Sequence, residues 1–237
     1  MEKMDICIFT KSDQMKPLKI TPKTPCLFSI AIIFFILLSS FKGVSIQVDD
    51  NPLSGWDKDI IRQANSGAGA AYLSTEEKKL IFYTNLCRLQ PKLFCQTVLT
   101  DYLKKNPDKS PESTALASLK KQLMEAKPCS ALLPDEQLYT IAHDFAKKMG
   151  EEGKTGHVDF QNRMKPVMSH YNRVGENCDY GYSLGIDAFM SLLIDKSDPV
   201  NLGHRKNILD PNFTAIGVSE QPHKVYQWSY VMDFGGQ

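Results

Sequence analysis

The chain has 237 residues, with 28 basic and 27 acidic side chains, a formal net charge of +1 and 42% hydrophobic content. That length fits one domain with extensions, at roughly 100–200 residues per domain. The near-balance of charge gives no electrostatic ground for nucleic acid or an anionic membrane surface as a partner.

In chain order, the first element is Leu27–Leu38 (LFSIAIIFFILL), apolar except for Ser29, with Lys16, Lys19 and Lys23 ahead of it and small residues at Gly43 and Ser45. This is the pattern of an export signal over residues 1–45. The run is shorter than the roughly 20 residues of a membrane span, which favours a cleaved leader over an uncleaved signal anchor. Translation from Met15 would give a leader of ordinary length. No cysteine follows closely enough for a lipid-modified N-terminus. Removing residues 1–45 leaves 22 basic and 24 acidic side chains, a net charge of −2. The expected location is secreted, or the periplasm or cell envelope, with membrane contact only through the N-terminal segment if it stays uncleaved.

Residues 46–73 form a polar lead-in that includes the small-residue stretch SGAGAA. Ser74 with Glu77 makes a capping box, and Leu80, Ile81, Thr84 and Cys87 follow at helical spacing. Pro91 suits the first turn of a next helix carrying Phe94, Val98 and Tyr102. Ser110–Pro111 predicts another start, with Leu116, Leu119 and Leu123 as its stripe. Further helices are expected over about Asp135–Met149 and Ile186–Lys196, with Glu151–His157 as a loop. Ala215–Ser219 and Val225–Phe234 read as strands, with the turn at Glu220–Lys224. Helices first and strands last predict an α+β domain over residues 74–237.

Four cysteines lie beyond the leader: Cys87, Cys95, Cys129 and Cys178. In an exported chain an even count favours disulfides, with three connectivities open. Cys87 and Cys95 stand about 12 Å apart along a helix, beyond the ~7 Å limit for a bridge unless the helix breaks at Pro91. Cys129–Cys178 is the preferred pair. The alternative is four small buried hydrophobes.

Several stretches then fall in a telling order: Asn85–Phe94 (NLCRLQPKLF), Gly156-His157-Val-Asp-Phe, Gly175-Glu176-Asn177, Leu193-Ile-Asp195, Gly203-His204-Arg205-Lys-Asn207-Ile-Leu209, Asn212-Phe213 and Ile216-Gly217-Val218. From about Leu80 to Phe234 the chain resembles the CAP superfamily of cysteine-rich secretory proteins, antigen 5 and the plant pathogenesis-related proteins of class one. The likeness is greatest to its short exported bacterial (SCP-like) branch. The resemblance implies a small antiparallel sheet sandwiched between helices, with a groove holding two histidines and two acids. The histidines fall on His157 and His204, and the first acid on Glu176. The second falls on Asp195, where many relatives carry Glu after Trp. Arg163, Asn177, Arg205 and Asn207 match structural members of the motifs.

Two imidazoles and two carboxylates converging in a cleft can hold a divalent metal such as zinc, with His157 and His204 as its ligands. Without metal, the acids would orient the rings for proton transfer. Each position also has a structural reading: His157 as a turn residue, Glu176 and His204 as ties between loops and sheet, Asp195 as a surface acid. His143, His170 and His223 read as structural or solvated. Gly181-Tyr-Ser183-Leu-Gly185 fits the nucleophile-elbow pattern, but the polar GENCDY before it makes a poor central strand and no HGGG-like loop precedes it. Two functions follow. The first is a non-enzymatic extracytoplasmic module that binds a lipid, a glycan or a protein, and the second is a metal-assisted hydrolase, peptidase-like, that activates water through the His/acid cluster.

Overall fold

The computed structural model describes residues 51–108, 113–197 and 200–237. The export signal read in residues 1–45 and the start signal at Ser110–Pro111 therefore lie outside the described residues. No helix among the described residues is long and apolar enough to cross a membrane.

The lead-in has structure of its own. Asp57 caps α1 (Lys58–Ala64) by accepting from the Asp59 and Ile60 amides. Trp56, 6% exposed, donates from its indole to Thr97 Oγ1 at 3.1 Å. The capping box then starts α2 (Thr75–Leu89): Ser74 Oγ accepts from the Glu77 amide at 3.1 Å, and Glu77 Oε2 accepts from the Ser74 amide at 2.6 Å. The other Glu77 oxygen accepts from the Glu220 amide at 2.8 Å, which ties this helix start to the sheet. Ser74→Ala is expected to cost ~1 kcal/mol, read as a shift in the urea midpoint at unchanged m-value.

Pro91 opens α3 (Pro91–Phe94), which continues through a π-helical turn (Cys95–Leu99) into α4 (Thr100–Lys105). The cap of α5 (Thr114–Glu125) is Ser113, which accepts from the Leu116 amide, and the helix buries Leu116, Leu119 and Leu123. A two-residue strand β1 (Leu133–Pro134) leads to α6 (Glu136–Glu152), capped by Asp135 and closed by Gly153 at φ 67. This helix therefore takes up the start of the expected 151–157 loop. After it come α7 (Phe160–Met164), β2 (Arg173–Tyr180), α8 (Gly185–Ile194), α9 (Gly203–Leu209), β3 (Phe213–His223) and β4 (Gln227–Gly236).

The strand order is β1-β3-β4-β2. β2 and β3 both run antiparallel to β4, whereas β1 pairs parallel to β3 through Leu133↔Ala215. The sheet is thus mixed, the three long strands alone being antiparallel. Residues 220–223, expected in the turn, extend β3 and pair as far as His223↔Gln227. The polar GENCDY segment also proves to be a strand. Remote groups meet its polar side chains: Arg163 holds Glu176, Asn207 and the His204 carbonyl hold Asn177, and Ser191 donates to Asp179 Oδ1, while Asp179 Oδ2 meets no donor among the described residues.

Helices cover both faces of the sheet, giving an α+β domain of α-β-α type. On one face Leu138, Ala142, Phe145, Ala146 and Met149 of α6 meet Val174, Cys178, Ala215 and Val231. Gly217 lets α6 settle there, since a Cβ would lie 2.1 Å from the Leu138 carbonyl carbon. On the other face Ile216, Val218, Tyr230, Met232 and Phe234 pack with residues of α2 and α8 such as Leu80 and Phe189. Two arginines are wholly enclosed. Arg88 donates to the carbonyls of Ser130, Ile208, Asp210 and Phe213 at 2.8–2.9 Å, and Arg205 to those of Leu193, Ala115 and Ile194.

The expected Cys129–Cys178 disulfide is absent: Cys87, Cys95, Cys129 and Cys178 are all free thiols. Cys129 sits against the Arg88 carbonyl at the end of α2, while Cys178 lies in mid-β2 under α6, donating to Gly156 O. The fold separates their surroundings, and burial pushes both thiols up in pKa.

Candidate functional site

The site is built on β2, the strand at the open edge of the sheet. Successive side chains of a strand point to opposite faces. Glu176 and Cys178 face α6, while Gly175, Asn177 and Asp179 face α8 and α9, as their contacts confirm.

On the α6 face, the chain leaving Gly153 turns through Gly156 at φ 98, and Tyr180 Oη accepts the Gly156 amide at 3.0 Å. This brings His157 Nδ1 to 2.7 Å from Glu176 Oε1. Arg163 grips both oxygens of the same carboxylate, at 2.8 and 2.9 Å, and its guanidinium lies 3.5 Å over the Phe145 ring. Burial alone would raise the Glu176 pKa, but the hydrogen bonds from His157 and Arg163 outweigh it and hold the carboxyl below the usual range. An ionised acid on Nδ1 fixes the proton there and leaves the ring lone pair on Nε2.

On the other face, α8 ends at Asp195, whose backbone is left-handed at φ 57. The chain returns through Leu202, also left-handed at φ 53, into α9, whose second residue is His204. His204 Nδ1 lies 2.9 Å from Asp195 Oδ1, and Asp195 Oδ2 accepts the Arg205 amide at 3.2 Å. Asp195 is wholly enclosed and the His204 side chain is 4% exposed. Here the shorter Asp reaches its histidine directly, with no water between. Asn177 Nδ2 donates to the His204 carbonyl, so adjacent residues of β2 anchor the two pairs from opposite faces.

Thus the structure joins the four candidate residues as His157–Glu176 and His204–Asp195, one pair on each side of the β2 edge. A groove of about 470 Å³ adjoins the first pair. Its apolar wall includes Phe145, Met149 and Val158, and its charged rim Lys148, Asp159 and Arg163. The groove is lined by the loop after His157 rather than by either imidazole.

Two residues near Glu176 lie outside the four site candidates expected from the sequence, Cys178 being expected there only as a disulfide partner. Cys178 Sγ is 3.6 Å from His157 Nδ1. Its thiol pKa lies well above the usual value, first from burial and then from the charges of Glu176 and Asp233, so it is no ready nucleophile. Asp233 pairs with Glu176 across the strands and is completely buried. Burial, then the Glu176 charge, drives its carboxyl well above the normal range. The signals were present: parity with Glu176 in one case, an acid inside an apolar strand in the other.

The remaining candidates serve structure. His223 accepts the Val225 and Tyr226 amides through Nδ1 and meets the Lys154 carbonyl through Nε2, which staples the β3–β4 turn. His143 packs among Tyr139, Ser219 and Gln221. Ser183 is exposed, and its carbonyl accepts from the Tyr230 hydroxyl. Gly185 of the same pattern is fixed by its approach to α2, a Cβ there falling 2.2 Å from the Glu76 carbonyl oxygen.

The model of the CAP, cysteine-rich secretory protein, family matches residues 83–233. Among solved structures, an extracellular protein containing an SCP domain from Bacillus anthracis is 25% identical, with a TM-score of 0.38, over 46% of this chain and 35% of that one. The chain therefore spans about a third of that protein's length. An outer surface protein of Borrelia burgdorferi is 21% identical, with a TM-score of 0.39, over 52% of this chain and 86% of that one. A venom allergen-like protein of Schistosoma mansoni is 14% identical, with a TM-score of 0.45, over 69% and 90%. No curated protein sequence matches. With 151 consecutive residues following the family's model, this chain belongs to the CAP family of cysteine-rich secretory proteins.

Proposed function

We propose that the chain is an exported, extracytoplasmic binding module, and that the cleft at the β2 edge takes a divalent metal such as zinc through His157 and His204. The observation that carries this reading is the pair of buried acid–imidazole contacts, 2.7 Å at Glu176–His157 and 2.9 Å at Asp195–His204. A carboxylate on the far ring nitrogen is the usual outer partner of a metal-binding histidine, fixing its tautomer and orientation. Each ring thus carries the outer carboxylate that a zinc-binding histidine would have, and a bound ion would supply Lewis acidity to whatever it touched. The neighbouring groove, apolar along one wall and charged at its rim, suits an amphiphilic ligand, a lipid or a peptide.

The expected result is that zinc added to the full chain shifts the His204 ring nitrogen resonances, and that Asp195→Asn weakens this response 10–100-fold. A His204 ring indifferent to zinc overturns the metal reading. Peptide and ester libraries should show no turnover with or without zinc. Zinc-dependent turnover lost in His204→Ala would replace the binding module with the metal-assisted hydrolase.

A further inference from the structure

The sheet face under α6 carries a second convergence of donors. Ligand atoms of His157, Glu176 and Cys178 all lie within 4.8 Å of one another. Glu176 Oε1 and Cys178 Sγ stand 2.7 and 3.6 Å from the same nitrogen, His157 Nδ1. Asp233 faces Glu176 across the β2–β4 pairing, where side chains of paired residues sit roughly 5 Å apart at Cβ. It is completely buried, and neither of its oxygens meets a donor among the described residues. A dry carboxyl in that position needs a proton or a cation.

We propose that His157 Nδ1, Glu176, Cys178 and Asp233 form an internal transition-metal site of zinc type, separate from the His157–His204 cleft. Sulfur, nitrogen and oxygen donors in a set of four suit zinc, whereas calcium and magnesium take oxygen. Bonds of ~2.0–2.3 Å place neighbouring tetrahedral ligands about 3.3–3.8 Å apart. The sulfur–nitrogen distance already fits, and the oxygen–nitrogen distance must open by less than about 1 Å.

The charge also closes. A thiolate and two carboxylates balance a divalent ion together with the Arg163 guanidinium that already holds Glu176. On binding, the His157 ring proton shifts from Nδ1 to Nε2, the ion takes the Nδ1 lone pair so freed, and the Cys178 proton, with any held by Asp233, passes to solvent. A neutral imidazole offers a single lone pair, so the interior ion and the cleft ion compete for His157. The interior set needs neither Asp195 nor His204, so it fails or stands apart from the cleft.

The test is titration of the full, reduced, metal-free chain with cobalt(II), followed by zinc competition. A near-ultraviolet thiolate-to-cobalt band is expected in the wild type and in His204→Ala, and lost in Cys178→Ala and Cys178→Ser. Asp233→Asn should weaken binding at least tenfold. No cobalt bound by the folded wild type, cobalt bound without that band, or a band surviving Cys178→Ala overturns the site. Should the cysteine variants fail to fold by circular dichroism, zinc X-ray absorption of the wild type decides. One sulfur at ~2.3 Å supports the site, and nitrogen and oxygen neighbours alone refute it.

Discussion

Arg88→Leu is expected to lower the unfolding free energy by at least ~4 kcal/mol, a large share of the roughly 5–15 kcal/mol that holds a domain together. The guanidinium is fully enclosed and donates to four carbonyls, those of Ser130, Ile208, Asp210 and Phe213. A leucine of similar bulk leaves these acceptors dry, at about 1–3 kcal/mol each when unmet. The bonds join the end of α2 to the segment that follows α9, so their loss opens one side of the sheet. Arg88→Lys should fall between the two, because an ammonium has three donors and no planar fork. Urea denaturation reads both variants, and a loss under 1 kcal/mol for Arg88→Leu would contradict this account.

Asp179→Asn is expected to do the opposite, stabilising the chain at pH 8 by at least ~2 kcal/mol. Burial raises the Asp179 carboxyl to about 8, against the hydrogen bond from Ser191 Oγ at 2.7 Å. The unfolded carboxyl titrates near ~3.9. Between about pH 4 and 8 the unfolded chain has therefore released a proton that the folded chain keeps. Stability must fall as pH rises through that window, by up to ~1.4 kcal/mol per unit from this group. An amide cannot ionise, so the variant should show a flatter stability–pH curve, close to wild type at pH 4 and above it at pH 8. Some slope will remain, because Asp233 contributes with the same sign. Parallel curves for the two proteins would show that Asp179 ionises normally.

The helices were legible because their signals are local. Ser74 and Glu77 bond as their spacing requires, and Pro91, Phe94, Val98 and Tyr102 lie as a helical period demands. What could not be read was polar sequence made strand-like by remote partners. GENCDY looks unsuited to a sheet until Arg163, Asn207 and Ser191 arrive from elsewhere in the chain. The four candidate residues were named from motif order, and the pairing of each histidine with one acid needed coordinates. For the cysteines the preferred Cys129–Cys178 pair fails and the alternative of unpaired thiols holds, since an even count carries no information about which thiols meet.

Of the four non-glycine residues with left-handed backbone among the described residues, Asp159, Asp195 and Leu202 border the histidine pairs. Such a conformation costs of order 1–3 kcal/mol at each residue, and packing must hold it in place. The turns at Asp195 and Leu202 thus store backbone tension beside the His204 pair that the packing around them must offset. On the His157 side the hold is a tripod instead, since Arg163 grips both Glu176 oxygens while its guanidinium lies flat on Phe145.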